Sequence, residues 1–186
     1  NNSWKLADRE LSNYREFSHP FMPAFYGISD DNIIIEFING RTLKNIKKIN
    51  LSFQNILNII FELLLIFKYF DDNDLIYRDL KPDNVMIDEN KEMVLIDYDR
   101  LIKNDNYEHT MDLVNTSYIP EINETKRFTH ESDIYILGKT IEFIINEIKD
   151  QFQSNDFSVI NEIILKCSNE NPKNRPSIIE IINYFN

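Results

Sequence analysis

The spacing of apolar and polar positions divides the chain into helical and extended stretches. In residues 53–70, Ile56, Ile59, Ile60, Leu63, Leu64, Phe67 and Phe70 recur at three- and four-residue intervals, the period of one helix face. Leu57, Leu65 and Ile66 widen that face, which predicts a central helix, and Ser52 supplies its N-cap. The same period predicts a helix over 129–149, with Ile134, Leu137, Ile141, Ile144, Ile145 and Ile148 inward, and another over 157–168. Residues 3–18 carry Leu6, Leu11, Tyr14 and Phe17 among charges and read as a helix that His19-Pro20 stops. Ser177 and Glu180 form a capping box for a last helix. Residues 21–27 and 32–38 read as strands joined by Ser-Asp-Asp, and the run Ile33-Ile34-Ile35 predicts a strand covered on both faces. Asn39-Gly40 reads as a turn, 42–48 as a short basic helix and 150–156 as a polar connector. The fold class is α+β.

Val-Met-Ile-Asp (85–88) and Met-Val-Leu-Ile-Asp (93–97), separated by Glu-Asn-Lys-Glu, predict a β-hairpin. Pairing symmetric about Asn90-Lys91 sets Asp88 opposite Met93 and continues outward until Asn84 faces Asp97. Opposed residues lie about 4.5–5.5 Å apart, so an amide oxygen and a carboxylate share one mouth. Hard cations such as Mg²⁺ take oxygen ligands of this kind. Upstream stand Asp79, able to accept a proton, and Lys81, a compact positive charge. Alone, an Asp-Asn pair at a strand start is ordinary turn chemistry, and an Asp after an apolar strand simply ends it.

Bulk properties narrow the classes. At 186 residues a single domain is the default. A net charge of −11 argues against nucleic-acid and anionic-membrane partners. The one cysteine, Cys167, excludes an intrachain disulfide. The longest apolar run, 59–67, contains Glu62 and is well short of the roughly 20 residues of a membrane span. A soluble, cytoplasmic domain is expected. Because the chain opens on Asn1 rather than Met, a fragment is expected as well.

Tyr-Arg-Asp-Leu-Lys-Pro-Asp-Asn (77–84), with Asp97 following 13 residues after Asn84, resembles the catalytic and metal-binding loops of eukaryotic protein kinases. The Leu-Lys-Pro wording is similar to the Ser/Thr or tyrosine-kinase-like branches, and Tyr77 replaces the commoner His. The resemblance runs in order along nearly the whole chain. It implies a partial kinase domain over 1–186: residues 1–38 as a remnant of the N-lobe and hinge, 39–186 as a helical C-lobe. The implied cofactors are ATP and Mg²⁺. Asp79 would accept the substrate proton, Lys81 would offset γ-phosphoryl charge, and Asn84 and Asp97 would hold the metal. Glu36 and Ile38, after a gatekeeper Ile35, would meet adenine, with Met86 also lining the nucleotide site. Glu10 falls where helix C carries its ion-pairing glutamate, although taken alone it reads as a solvated acid. Glu36 reads equally well as a strand-end acid. The strand that carries the partner lysine is not in the sequence. Asp133, in Ser-Asp-Ile-Tyr-Ile-Leu-Gly (132–138), would brace the catalytic loop; Arg78 would pair an activating phosphate; and Arg175 would pair Glu121.

Several positions depart from that pattern. Tyr98-Asp99 stands where the family has Phe-Gly, and Asp99 gives up glycine's freedom at positive φ. Thr-Ser-Tyr-Ile-Pro-Glu (116–121) is about two residues shorter than the usual ending of the activation segment, and no helix G is found in 150–156. Tyr107, Thr110, Thr116, Ser117 and Tyr118 are candidate phosphorylation sites. The expected function is transfer of the ATP γ-phosphoryl group to a Ser/Thr hydroxyl of a protein substrate in a longer parent chain, the isolated chain being inactive. The alternatives are a pseudokinase scaffold that binds protein partners, and a small-molecule phosphotransferase.

Overall fold

The computed structural model of the protein describes residues 3–30, 32–104, 119–125, 127–152 and 157–185. Helix α1 (Ser3–Glu16) precedes a hairpin of β1 (Phe25–Ser29) and β2 (Asn32–Ile35), then β3 (Gly40–Thr42) and a 3-10 turn, Leu43–Lys48. Helix α2 (Phe53–Asp72) leads to β4 (Leu75–Ile76), β5 (Val85–Asp88), β6 (Met93–Leu95) and β7 (Ile102–Lys103). The last elements are α3 (Ile122–Thr125), α4 (His130–Ile148), α5 (Ser158–Cys167) and α6 (Ile178–Asn183). One apolar core runs from Tyr14 and Phe17 of the first helix region through α2 and α4 to Ile181. The α+β class holds.

Helix α2 starts where Ser52 and Asn55 cap each other reciprocally, Asn55 N–H to Ser52 Oγ at 3.2 Å and Ser52 N–H to Asn55 Oδ1 at 2.9 Å. Its 20 residues have the length and composition of a membrane span, beyond the shorter run expected from the sequence. Eight of them are nevertheless buried in the protein core, each such aliphatic or aromatic side chain contributing roughly 1.5–3 kcal/mol. That outweighs helix propensities of a few tenths, so tertiary packing holds α2 in place. Helix α4 packs on α5 at Gly138, where a Cβ would lie 2.6 Å from that of Cys167; only glycine permits the approach.

Three local expectations are corrected. Residues 21–24 are not strand: Pro20 and Pro23 lack N–H donors and Met22 N–H turns back to His19 O at 2.9 Å, so β1 begins at Phe25. The hairpin is covered on one face only. Phe25, Ile33 and Ile35 pack inward, while Tyr26, Ile28 and Ile34 are exposed. Gly40 opens a strand rather than a turn, pairing with Asp88; a Cβ there would meet Ile87 O at 2.2 Å.

The fourth correction concerns register. Ile87, not Asp88, faces Met93, and the pairing runs through Met86↔Val94 and Val85↔Leu95. Lys91 adopts φ 71 and donates to Asp88 O at 3.2 Å, and Asp88 N–H closes the loop on Glu92 O at 3.0 Å. This is the three-residue loop with a left-handed bulge residue, not a four-residue loop. Asn84 therefore lies opposite Ile96, whose N–H it accepts at 2.9 Å, and the symmetric pairing of Asn84 with Asp97 does not occur. Glu62 of α2 anchors the ribbon by accepting Met93 N–H at 2.8 Å.

Candidate functional site

The loop between β4 and β5 is held from below. Asp133, in the first turn of α4, is buried and accepts the backbone N–H of Tyr77 at 2.6 Å and of Arg78 at 2.9 Å. Burial pushes its carboxyl up to about 6 against the opposing pull of those two hydrogen bonds. Arg78 has φ 69, a left-handed conformation that costs a non-glycine residue of order 1–3 kcal/mol. The two bonds to Asp133 offset that cost, as does the Arg78 Nε–H donated to Arg100 O at 2.7 Å.

Asp79 follows directly. Its Oδ2 accepts from Lys81 Nζ at 2.6 Å and from Asn84 Nδ2 at 2.9 Å, and Asn84 Nδ2 also reaches Asp79 O at 3.0 Å. Oδ1 is less engaged, with Arg100 Nε at 3.9 Å. Asp97 reaches the same place because its own φ of 70 turns the chain after β6. Carboxylate oxygens of Asp79, Asp97 and Asp99 all lie within 4.8 Å of one another. Burial first, then Asp99, Asp79 and Glu10, raise the Asp97 carboxyl to about 6. Such a set of carboxylate oxygens suits a hard divalent cation. Asp99 Oδ1 is buried with no hydrogen-bond partner among the described residues, and a cation would satisfy it. The residues present therefore fit the metal that the loop pattern implies.

A chain of aromatic rings, stacked at its two ends and edge-on between, runs through Tyr98, the residue after Asp97. Phe25 lies 6.3 Å from Tyr14, Tyr14 lies 5.4 Å from Tyr98, Tyr98 lies 5.8 Å from Tyr77, and Tyr77 lies 5.7 Å from Phe70. Where His and Phe were the pattern's residues, both tyrosine hydroxyls find carbonyls: Tyr77 Oη donates to Ile96 O and Tyr98 Oη to Leu95 O, each at 2.6 Å. A buried hydroxyl without a partner would cost about 1–3 kcal/mol, so these bonds are what make the two substitutions tolerable. Burial, and then Asp99, raise the Glu10 carboxyl, with the nearby Tyr98 backbone pulling it the other way.

The remaining predicted residues lie farther out. Arg175 and Glu121 form a bidentate pair at 2.6 and 2.7 Å, the arginine side chain being fully buried. Burial alone would raise Glu121, but hydrogen bonds from Arg175 and Ser132 leave it below its ordinary value. Glu36 is exposed at the end of the hairpin, its N–H given to Ala24 O at 2.8 Å and its Oε2 accepting Ala24 N–H at 3.1 Å. Its carbonyl, like the backbone of Ile38, makes no hydrogen bond among the described residues. Met86 is half-buried opposite Val94, on the ribbon face away from Val85 and Ile87. Tyr107, Thr110, Thr116, Ser117 and Tyr118 lie outside the described residues, as does 153–156, part of the interval searched for helix G.

Asn13 was missed. It is buried, and its amide donates to Tyr98 O at 2.7 Å and Leu101 O at 3.0 Å. The signal was present: a polar residue three after Glu10 and four before Phe17, on the inward stripe of a helix. Glu62 offered a similar signal, an acid inside the apolar run of α2.

The family model described as "Protein kinase domain" matches residues 1–147. The chain is 28% identical to "Probable serine/threonine-protein kinase kinX" of Dictyostelium discoideum, across 95% of this chain and 19% of that protein. It is 35% identical to "Serine/threonine-protein kinase OXI1" of Arabidopsis thaliana, across 52% of this chain and 25% of the relative. Identity to "cAMP-dependent protein kinase catalytic subunit PRKX" of Mus musculus is 25%, across 86% and 46%. The chain thus spans less than half the length of each of these relatives.

Proposed function

The chain belongs to the protein kinase domain family, and on that premise we propose that it transfers the γ-phosphoryl group of ATP to a Ser/Thr hydroxyl of a protein substrate, as part of a longer protein. The observation that carries the reading is the carboxylate of Asp79, fixed on one oxygen by Lys81 and Asn84 and set beside Asp97.

Each residue's task follows from its surroundings. With Oδ2 occupied by two donors, Asp79 receives the substrate hydroxyl's proton at Oδ1. Lys81, 2.6 Å from Asp79 and 46% exposed in its side chain, offers its charge to the group in transfer. Asn84 and Asp97 would hold Mg²⁺, which when bound neutralises charge on the phosphate oxygens. The carbonyl of Glu36 and the backbone of Ile38 are open to an adenine edge, with Met86 near its face. Asp133 keeps the loop in place, so that little reorganisation accompanies the reaction. The serine/threonine wording of the relatives' names supports the substrate class.

The test is to incubate the full-length protein with γ-labelled ATP, Mg²⁺ and a protein substrate and to identify the labelled residue. Label on Ser or Thr is expected. Label confined to Tyr, or to a small molecule, contradicts the proposal.

A further inference from the structure

Helix α1 grips the turn that follows Asp97 by its backbone. Arg9 Nη1 donates to Asp99 O at 3.4 Å. Asn13 Nδ2 donates to both Tyr98 O at 2.7 Å and Leu101 O at 3.0 Å. Arg9 and Asn13 lie on one side of the helix, four residues apart. The turn they hold begins at Asp97 with φ 70 and continues through Asp99, so a left-handed aspartate and its neighbouring carboxylate must be kept in place without a glycine.

We propose that Asn13 is a positioning residue that aims the carboxylates of Asp97 and Asp99 at Asp79 and thereby sets the affinity of the site for a divalent or trivalent cation. The chemistry of the side chain is specific to this task. A primary amide carries two N–H donors on one nitrogen, and here both go to carbonyls of the same turn, at Tyr98 and Leu101. Leucine has a similar size but no donor, leaving Tyr98 O with only the Leu101 N–H at 3.3 Å and depriving Leu101 O of its Asn13 bond. Aspartate would present oxygens to oxygens. Asn13 is only 7% exposed, so water does not replace the lost bonds. Without them the turn keeps the longer Arg9 bond and its own Leu101 N–H to Tyr98 O bond but loses its two shortest ties to α1, and the carboxylates of Asp97 and Asp99 shift relative to Asp79. The inference rests on reading Asp97 as a metal ligand.

Terbium binding tests it, because the buried rings of Tyr77 and Tyr98 adjoin the site and sensitise Tb³⁺ emission, giving a signal independent of phosphoryl transfer. The wild-type chain is expected to bind Tb³⁺ and Asp97→Asn to lose it. Asn13→Leu is expected to weaken binding at least tenfold while far-UV dichroism is unchanged, and Asn13→Ser, which retains one donor, to fall between. Ile163→Val, a core change in α5 distant from the site, serves as the stability control and is expected to keep wild-type affinity. Wild-type affinity in folded Asn13→Leu and Asn13→Ser, with binding lost in Asp97→Asn, overturns the role of Asn13 alone. Undiminished binding in Asp97→Asn overturns the metal assignment and this inference with it.

Discussion

Asp133 lies 56 residues after Tyr77, yet its Oδ2 accepts the Tyr77 backbone N–H at 2.6 Å. Its Oδ1 takes the next N–H, that of Arg78, at 2.9 Å. A single buried carboxylate in α4 thus fixes the start of the loop that carries Asp79, Lys81 and Asn84.

Removing that carboxylate leaves two buried N–H groups without partners, each costing about 1–3 kcal/mol. Asp133→Ala is therefore expected to destabilise the fold by about 2–6 kcal/mol in urea unfolding. Asp133→Asn keeps one acceptor oxygen but turns an NH₂ toward the other N–H, and its cost is expected to fall below that of the alanine variant.

The second relationship concerns charge at the cation site. Burial is the first cause of the raised Asp97 carboxyl, at about 6, and Asp99 the second. Asp99→Asn is expected to move Asp97 down toward its ordinary value of 3.8, read by carbon NMR of the carboxyl carbon. The sign for stability follows. With its folded value raised, Asp97 holds a proton that the unfolded chain has already released between pH about 4 and 6. Its contribution therefore falls as pH rises through that window. The Asn variant at 99 should flatten that decline, and an Asp97 titration unmoved by the substitution would refute the coupling.

Arg175 and Glu121 behave in the opposite sense. Glu121 is held below its ordinary 4.5 in the folded chain, so its stabilisation is present above that value and is lost as pH falls through the lower folded one. Breaking a buried pair on one side commonly costs about 3–5 kcal/mol, the range expected for Arg175→Ala. Arg175→Lys is not a conservative change here. The guanidinium makes two bonds to Glu121 and further bonds to Glu131 O at 2.8 Å and Asn169 O at 2.9 Å, a fork an ammonium lacks. It is expected to lose about 1.5–3 kcal/mol for each charge-assisted bond not remade, measured by thermal or urea unfolding.

Helices were legible because their signals are repeated many times over: α2, α4 and α6 begin at Ser52, Thr129 and Ser177, each a capping residue visible in the sequence. The short strands were not. β4 and β7 are two residues each, too brief for a period of two, and β3 is announced only by Gly40, whose need for a close approach to Ile87 depends on a partner 47 residues away. At the site, the loop residues were readable as a pattern, but the symmetric register was wrong by one residue. A left-handed Lys91 closed a three-residue loop in place of a four-residue one, and a left-handed Asp97 brought its carboxylate back to Asp79. Lysine gives no hint of a left-handed dihedral and aspartate only a weak one, and a bulge changes register without changing the apolar alternation. Asn13 shows the opposite case, a polar residue on an inward stripe whose partners only the folded chain supplies.

The most direct measurement is the phosphoryl-transfer rate of full-length protein carrying Asp79→Asn, compared with wild type at saturating Mg²⁺ and ATP. Asparagine preserves shape and leaves Lys81 and Asn84 in place, but it is far too weak a base to take a proton. Loss of one group acting in the transition state costs about 10²–10³ in rate, so a fall of that size, with unchanged melting temperature, is the predicted result. Transfer at the wild-type rate by the folded variant would contradict the account.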